Sequence, residues 1–146
     1  MTGASAEQAA RQPPAPARTA GDVMEAALST VKPDDHVAAA AYLMKHARAS
    51  ALVIVDDEES RRPLGLITEA DIVRAVADGR DVNETRIRDL MTARPTVITA
   101  GTSVRDAAES MIAGHFRHLP VVDDGGLIGI VDIRDVCRAL LDPPLE

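Results

Sequence analysis

The chain has 146 residues, 46% of them apolar, and carries a net charge of -7 from 16 basic and 23 acidic side chains. That apolar fraction excludes wholesale disorder, and the acidic balance argues against a nucleic-acid protein, which needs a basic footprint to meet phosphates. Tyr42 and Phe116 leave no stacking platform for bases, the lone Cys137 has no partner for an internal disulfide, and no apolar run approaches the roughly 18 residues of a membrane span.

Residues 1–20 are rich in Ala, Pro and Gln and read as a flexible tail. No apolar stretch there resembles a signal peptide, so the expected location is cytoplasmic. Beyond the tail the chain repeats itself. Asp22-Val23-Met24 recurs as Asp89-Leu90-Met91, a shift of 67. The same shift carries Val37, Ala40, Ala41 and Met44 onto Val104, Ala107, Ala108 and Met111, and ALVIVDD (51–57) onto HLPVVDD (118–124). After a charged loop with three extra residues in the first copy, the shift becomes 64, and GLITEADIVRAV (65–76) aligns with GIVDIRDVCRAL (129–140). The predicted domains are therefore 21–80 and 86–142, following the tail.

Each copy predicts the same elements in the same order. A short extended piece (Thr30-Val31; Val97-Ile98) precedes an N-cap signal, Asp35 or Thr102. A helix follows with apolar residues at i, i+3, i+4 and i+7. A β-branched run comes next, then a turn; Asp123-Asp124-Gly125-Gly126 is hairpin chemistry. The second strand runs straight into a second helix, ending near Asp78 or Leu141. The unit is β-α-β-β-α, and the fold class is α/β (α+β). One unit is too small for a good core, so two related by a pseudo-twofold are expected to pack together. Cys137, between Val136 and Leu140 on the last helix, is expected to be a small buried apolar group.

The junction of second strand and second helix carries the chemistry. In the first copy it reads Gly65-Leu66-Ile67-Thr68-Glu69-Ala70-Asp71. Thr68 and Asp71 have the spacing of a capping box. The same geometry suits a nucleotide: a helix N-terminus attracts phosphate, and a carboxylate accepts the hydroxyls of a ribose in charge-assisted bonds. Gly65 would let backbone and ligand approach closely. Both readings stay open on spacing alone.

The motifs DVM and RIRDLM, TVKPDD and TVITAGTSV, FRHLPVVDD, GLITEADIV and GIVDIRDV together resemble tandem CBS domains, the paired regulatory module, over Gly21 to Leu141. The resemblance implies clefts between the repeats that hold AMP, ADP, ATP or S-adenosylmethionine. It assigns Gly65, Thr68 and Asp71 to ribose and phosphate. It assigns Thr96, Val97 and Ile98, with Leu66, to the adenine, and Arg117 and His118 to the phosphates. The second cleft would use Ile130, Asp132 and Asp135 with Thr30, Val31 and Ser50. There Asp132 replaces Thr68, and a carboxylate occupies the amides a phosphate would use. The first cleft is thus the expected phosphate site. The resemblance also implies a homodimer, joined through helices along the alanine-rich stretch Ala38 to Ala41, and an effector protein that the sequence does not name.

His115 and His118 lack a third ligand of clear placement, so no metal site is assigned. The run Asp56-Asp57-Glu58-Glu59 reads as a solvated loop. No nucleophile-base constellation or Walker-type loop has interpretable spacing, which argues against an enzyme. The expected function is a ligand-sensing regulatory module needing no cofactor. The alternative is a structural dimerisation module with empty clefts.

Overall fold

The computed structural model describes residues 18–27 and 29–142. The tail expected over 1–20 lies outside the described residues as far as 17. The elements in chain order are α1 (Ala20–Val23), β1 (Glu25–Ala26), β2 (Thr30–Val31), α2 (Val37–Ala47), β3 (Ala51–Val55), β4 (Pro63–Thr68), α3 (Glu69–Ala77), a 3-10 turn (Ile87–Asp89), β5 (Thr92–Ala93), β6 (Ile98–Thr99), α4 (Val104–Gly114), β7 (His118–Asp123), β8 (Gly126–Asp132) and α5 (Ile133–Leu141).

The strands form two four-stranded sheets, ordered β2-β3-β4-β5 and β1-β8-β7-β6. Each sheet pairs a parallel edge strand with a central hairpin: β2 runs parallel to β3, and β6 parallel to β7. The fourth strand of each sheet comes from the opening segment of the other repeat. β1 pairs with β8 and β5 with β4, both antiparallel. The repeats therefore exchange straps. Glycine makes room at both crossings. A Cβ on Gly65 would lie 2.9 Å from both Met91 Sδ and the Thr92 carbonyl; one on Gly129 would lie 2.5 Å from Met24 Sδ and 2.8 Å from the Glu25 carbonyl. Gly65, expected to face a ligand, instead lets β5 close on β4.

Three apolar clusters hold the molecule. Lobe 1 packs Val37, Ala40 and Met44 of α2 against Leu52, Ile54 and Ile67, with Ile87 from the strap beyond. Lobe 2 repeats this with Val104, Ala107 and Met111 against Leu119, Val121 and Val131, with Ala20 from the exchanged strap. Ala51, Val53, Val55, Leu66, Ala27 and Leu127 form the third cluster, which joins the lobes. Every residue of β3 is buried because alternate side chains enter the lobe 1 core and the inter-lobe cluster.

Three local expectations shift. The N-caps of α2 and α4 are His36 and Ser103 rather than Asp35 and Thr102. Asp35 accepts the Lys32 amide at 2.9 Å, and Ser103 Oγ accepts the Asp106 amide at 3.0 Å. The second short parallel strand is Ile98–Thr99, one residue later than expected. Cys137 is exposed, because α5 turns Asp135 and Val136 inward and the next residue lies about 100° further round the helix. The β7–β8 turn has the anticipated form, with Asp124 at φ 50 and Gly125 at φ 81.

Candidate functional site

Two cavities lie between the lobes, with volumes of about 780 Å³ and 290 Å³. The end of β4 and the start of α3 bring Leu66, Thr68 and Asp71 to the larger cavity; the linker adds Thr96, and the approach to β7 adds Arg117 and His118. Gly65, Val97 and Ile98 lie off its wall. Gly65 is taken up by the strap crossing, Ile98 by the lobe 2 core, and Val97 is 42% exposed. The smaller cavity collects Ser50, Ile130, Asp132 and Asp135, whereas Thr30 and Val31 lie off it. Their strand is spent on pairing with β3, and Val31 is 2% exposed inside lobe 1.

Both helix starts are capping boxes. The Thr68 amide donates to Asp71 Oδ2 at 2.8 Å, its hydroxyl donates to the same oxygen at 3.0 Å, and the Asp71 amide donates to Thr68 Oγ1 at 3.3 Å. Arg74 pairs with the other oxygen, Asp71 Oδ1, at 3.1 Å. In lobe 2 the Asp132 amide donates to Asp135 Oδ2 at 3.0 Å, and Asp132 Oδ1 accepts the Asp135 amide at 2.9 Å. The first amide of each helix is also used: Glu69 donates to the Ser50 carbonyl and Ile133 to that of Arg117, both at 2.9 Å. Each helix start is thus tied to the approach of the neighbouring strand in its own lobe.

Ser50 Oγ and His118 Nε2 meet at 2.7 Å across the pseudo-twofold. Both residues line both cavities, as do Glu69, Asp132 and Arg134, so this bond stands in the partition between them. Burial pulls the His118 imidazole below its ordinary pKa; Arg117 adds to that, and Asp132 and Glu69 oppose it. Burial raises the Asp135 carboxyl, and the charges of Asp132 and Glu25 raise it further, against the Asp132 amide.

Arg74, Arg94 and Arg134 also line the larger cavity, and Arg48, Arg134 and Arg138 the smaller. The repeat held a signal for two of them, because Arg74 maps onto Arg138 under the same shift of 64 that maps Asp71 onto Asp135. No such signal marks Arg94 or Arg134, whose places follow from the strap exchange and from how α5 meets lobe 1. His115 and His118 both face the larger cavity. Among the described residues no three His, Cys, Asp or Glu side chains form a group that could hold a metal ion.

Fold and site together define a class: paired α/β repeats that exchange straps and leave cavities between their lobes. The CBS-domain model matches residues 20–78 and 87–142, and the chain belongs to the CBS-domain family. An uncharacterized 17.7 kDa protein of Acidianus ambivalens is 43% identical over 113 residues, covering 77% of this chain and 66% of that one. CBSX2, solved in complex with AMP, is 30% identical with a TM-score of 0.72, covering 85% of this chain and 97% of its own. The CBS domain pair of MJ0100, solved with 5'-methylthioadenosine and S-adenosyl-L-methionine, is 27% identical with a TM-score of 0.77, covering 86% and 97%. The chain spans 66%, 18% and 54% of three curated relatives that it matches. Among the described residues no helix is long and apolar enough to cross a membrane.

Proposed function

We propose that the chain senses an adenosyl ligand, AMP, ADP, ATP or S-adenosylmethionine, in the larger cavity and passes its occupancy to a partner protein through altered contacts. The observation that carries this reading is the cavity of about 780 Å³, with Thr68 and Asp71 on one wall and Arg117 and His118 on the other. A ribose diol would bond to Asp71, sharing Oδ1 with Arg74 or displacing it. A phosphate would meet Arg117 and His118, and Leu66 with Thr96 would flank the base. The relatives solved with AMP and with S-adenosyl-L-methionine support this ligand class. The role is regulatory rather than catalytic, and the matched family supports that.

A thermal shift tests the reading. A ligand at a hundredfold excess over its Kd stabilises the fold by about 2.7 kcal/mol, which moves the melting point by several degrees. One of AMP, ATP or S-adenosylmethionine is expected to do so; no shift with any of them overturns the reading.

A structural dimerisation role has its own support. Tyr42, Val73, Val76, Ile112, Leu140 and Leu141 are large apolar side chains exposed on α2, α3, α4 and α5. Within the alanine-rich stretch Ala40 is buried in lobe 1, leaving Ala39 and Tyr42 on the outer face of α2. These exposed faces support a homodimer through the helices. Light scattering is expected to give twice the chain mass of 15.5 kDa, and a monomer at micromolar concentration overturns it.

A further inference from the structure

We propose that the larger cavity prefers nucleotides with two or three phosphates to a monophosphate, and that Arg94 reads the additional phosphates; this rests on the adenosyl reading above. Arg94 follows edge strand β5 and precedes Pro95. Its amide donates to the Leu64 carbonyl at 3.1 Å, which fixes its backbone against lobe 1. Its φ is 53, in the left-handed region that a β-carbon disfavours, at a position before proline where an extended backbone is normal. Glycine or asparagine would sit there with less strain. Strained backbone of this kind persists where the surroundings enforce it, and it concentrates at ligand sites.

The side chain lines the larger cavity, and among the described residues Arg94 forms no salt bridge. Arg117 and Arg134 line the same cavity from lobe 2 and are likewise without an ion pair among the described residues. Arg74 is already engaged by Asp71. Arginines therefore line the space from both lobes, alongside the acidic residues Glu69, Asp71 and Asp132. A single phosphate near Arg117 leaves Arg94 unused, whereas a chain of phosphates crossing the cavity engages both walls through forked, charge-assisted bonds. The volume of about 780 Å³ is toward the upper end of the roughly 300–1,000 Å³ typical of small-molecule sites.

The test is calorimetric titration of the full chain in metal-free buffer with adenosine, AMP, ADP, ATP and sodium tripolyphosphate. It compares the unaltered protein, Arg94→Gln, and Arg105→Gln on α4, which lines neither cavity, as a control, each checked for an unchanged melting curve. ATP is expected to bind at least about tenfold more tightly than AMP, with ADP between them. Arg94→Gln should remove about tenfold of the affinity for ATP and tripolyphosphate and leave adenosine and AMP within about twofold. Equal affinities for AMP and ATP overturn the inference alone, as does an Arg94→Gln loss as large for adenosine as for ATP. Arg94-dependent binding of tripolyphosphate with no gain from adenosine retains the phosphate subsite and overturns the adenosyl reading. Failure of all five ligands to bind overturns the inference, and failure of S-adenosylmethionine as well overturns the adenosyl reading.

Discussion

Asp71 closes a helix cap with one carboxylate oxygen while the other faces Arg74, and the proposed function gives that second oxygen a ligand role. Its Oδ2 closes the capping box, and its Oδ1 is held by Arg74, whose side chain is 70% exposed and free to swing away. Asp71→Ala is expected to weaken adenine-nucleotide binding by at least about tenfold, since each charge-assisted bond contributes about 1.5–3 kcal/mol. Loss of the cap costs only about 1 kcal/mol, so the variant should stay folded. Calorimetry on the folded variant with unchanged affinity would remove Asp71 from the site. His118 gives a pH signature. Its folded pKa is depressed, so the fold favours neutral imidazole, and protonation costs more there than in the unfolded chain. The stability it contributes is present above the ordinary histidine pKa and is lost as pH falls below about 6.5. Melting points between about pH 7.5 and 5.5 should fall more steeply for the unaltered protein than for His118→Gln. Parallel slopes would show that the Ser50–His118 bond is not proton-linked. Asp56 is likewise more than a solvated acid. Bonds from the Ser60 hydroxyl and the amides of Asp57 and Arg62 lower its pKa to about 2, against burial, which raises it. Its contribution to loop order is therefore kept above the ordinary carboxylate range and lost toward pH 2.

At the scale of elements, the exchanged straps are what tie the diagnostic motifs together. Met91 lies over Gly65 and Met24 over Gly129, two copies of one contact. The methionine of each D-x-M motif thus packs where the other repeat's glycine leaves space. Gly65→Ala would push a Cβ into Met91 Sδ and the Thr92 carbonyl at 2.9 Å. Overpacking of that kind costs about 1–3 kcal/mol. The expected outcome is a lower melting point and weaker ligand binding together, because β5 leads to Arg94 and Thr96 at the cavity. An unchanged melting point would show that the strap accommodates the methyl group. The pattern of each helix was readable beforehand, since Val37, Ala40 and Met44, and likewise Val104, Ala107 and Met111, recur at helical spacing and are buried. The exchange was not readable. β1 and β5 are two residues long, too short for any periodicity, and their partners lie far away in sequence.

For the molecule as a whole, the two cavities are unequal. Thr68 and Asp132 hold equivalent N-cap positions, one neutral and one acidic, and the cavity volumes are about 780 Å³ and 290 Å³. Asp132 lines both cavities, but the amide its carboxylate occupies is that of Asp135, beside the smaller one, and like charges about 4 Å apart repel by roughly 1 kcal/mol in water and by several near a partly buried surface, enough for a tenfold preference. A metal-free nucleotide is expected beside Asp71 first, and Asp132→Thr should raise the affinity of the smaller cavity for AMP. A crystal soaked in AMP without divalent ions, with density beside Asp135 and none beside Asp71, would reverse that assignment. What the sequence by itself determined was the doubled unit, the apolar faces of α2 and α4, the capping-box spacing of Thr68 and Asp71 and the Asp124-Gly125 turn. These depend on interactions within a few residues, so spacing alone carries them. The tertiary structure decided which strap completes which sheet, that Ser50 and His118 meet between the cavities, and that Arg94 and Arg134 line the larger cavity. Such contacts join residues tens of positions apart, and they form only because the inter-lobe cluster of Ala51, Val53, Leu66 and Leu127 buries apolar surface from both halves at once.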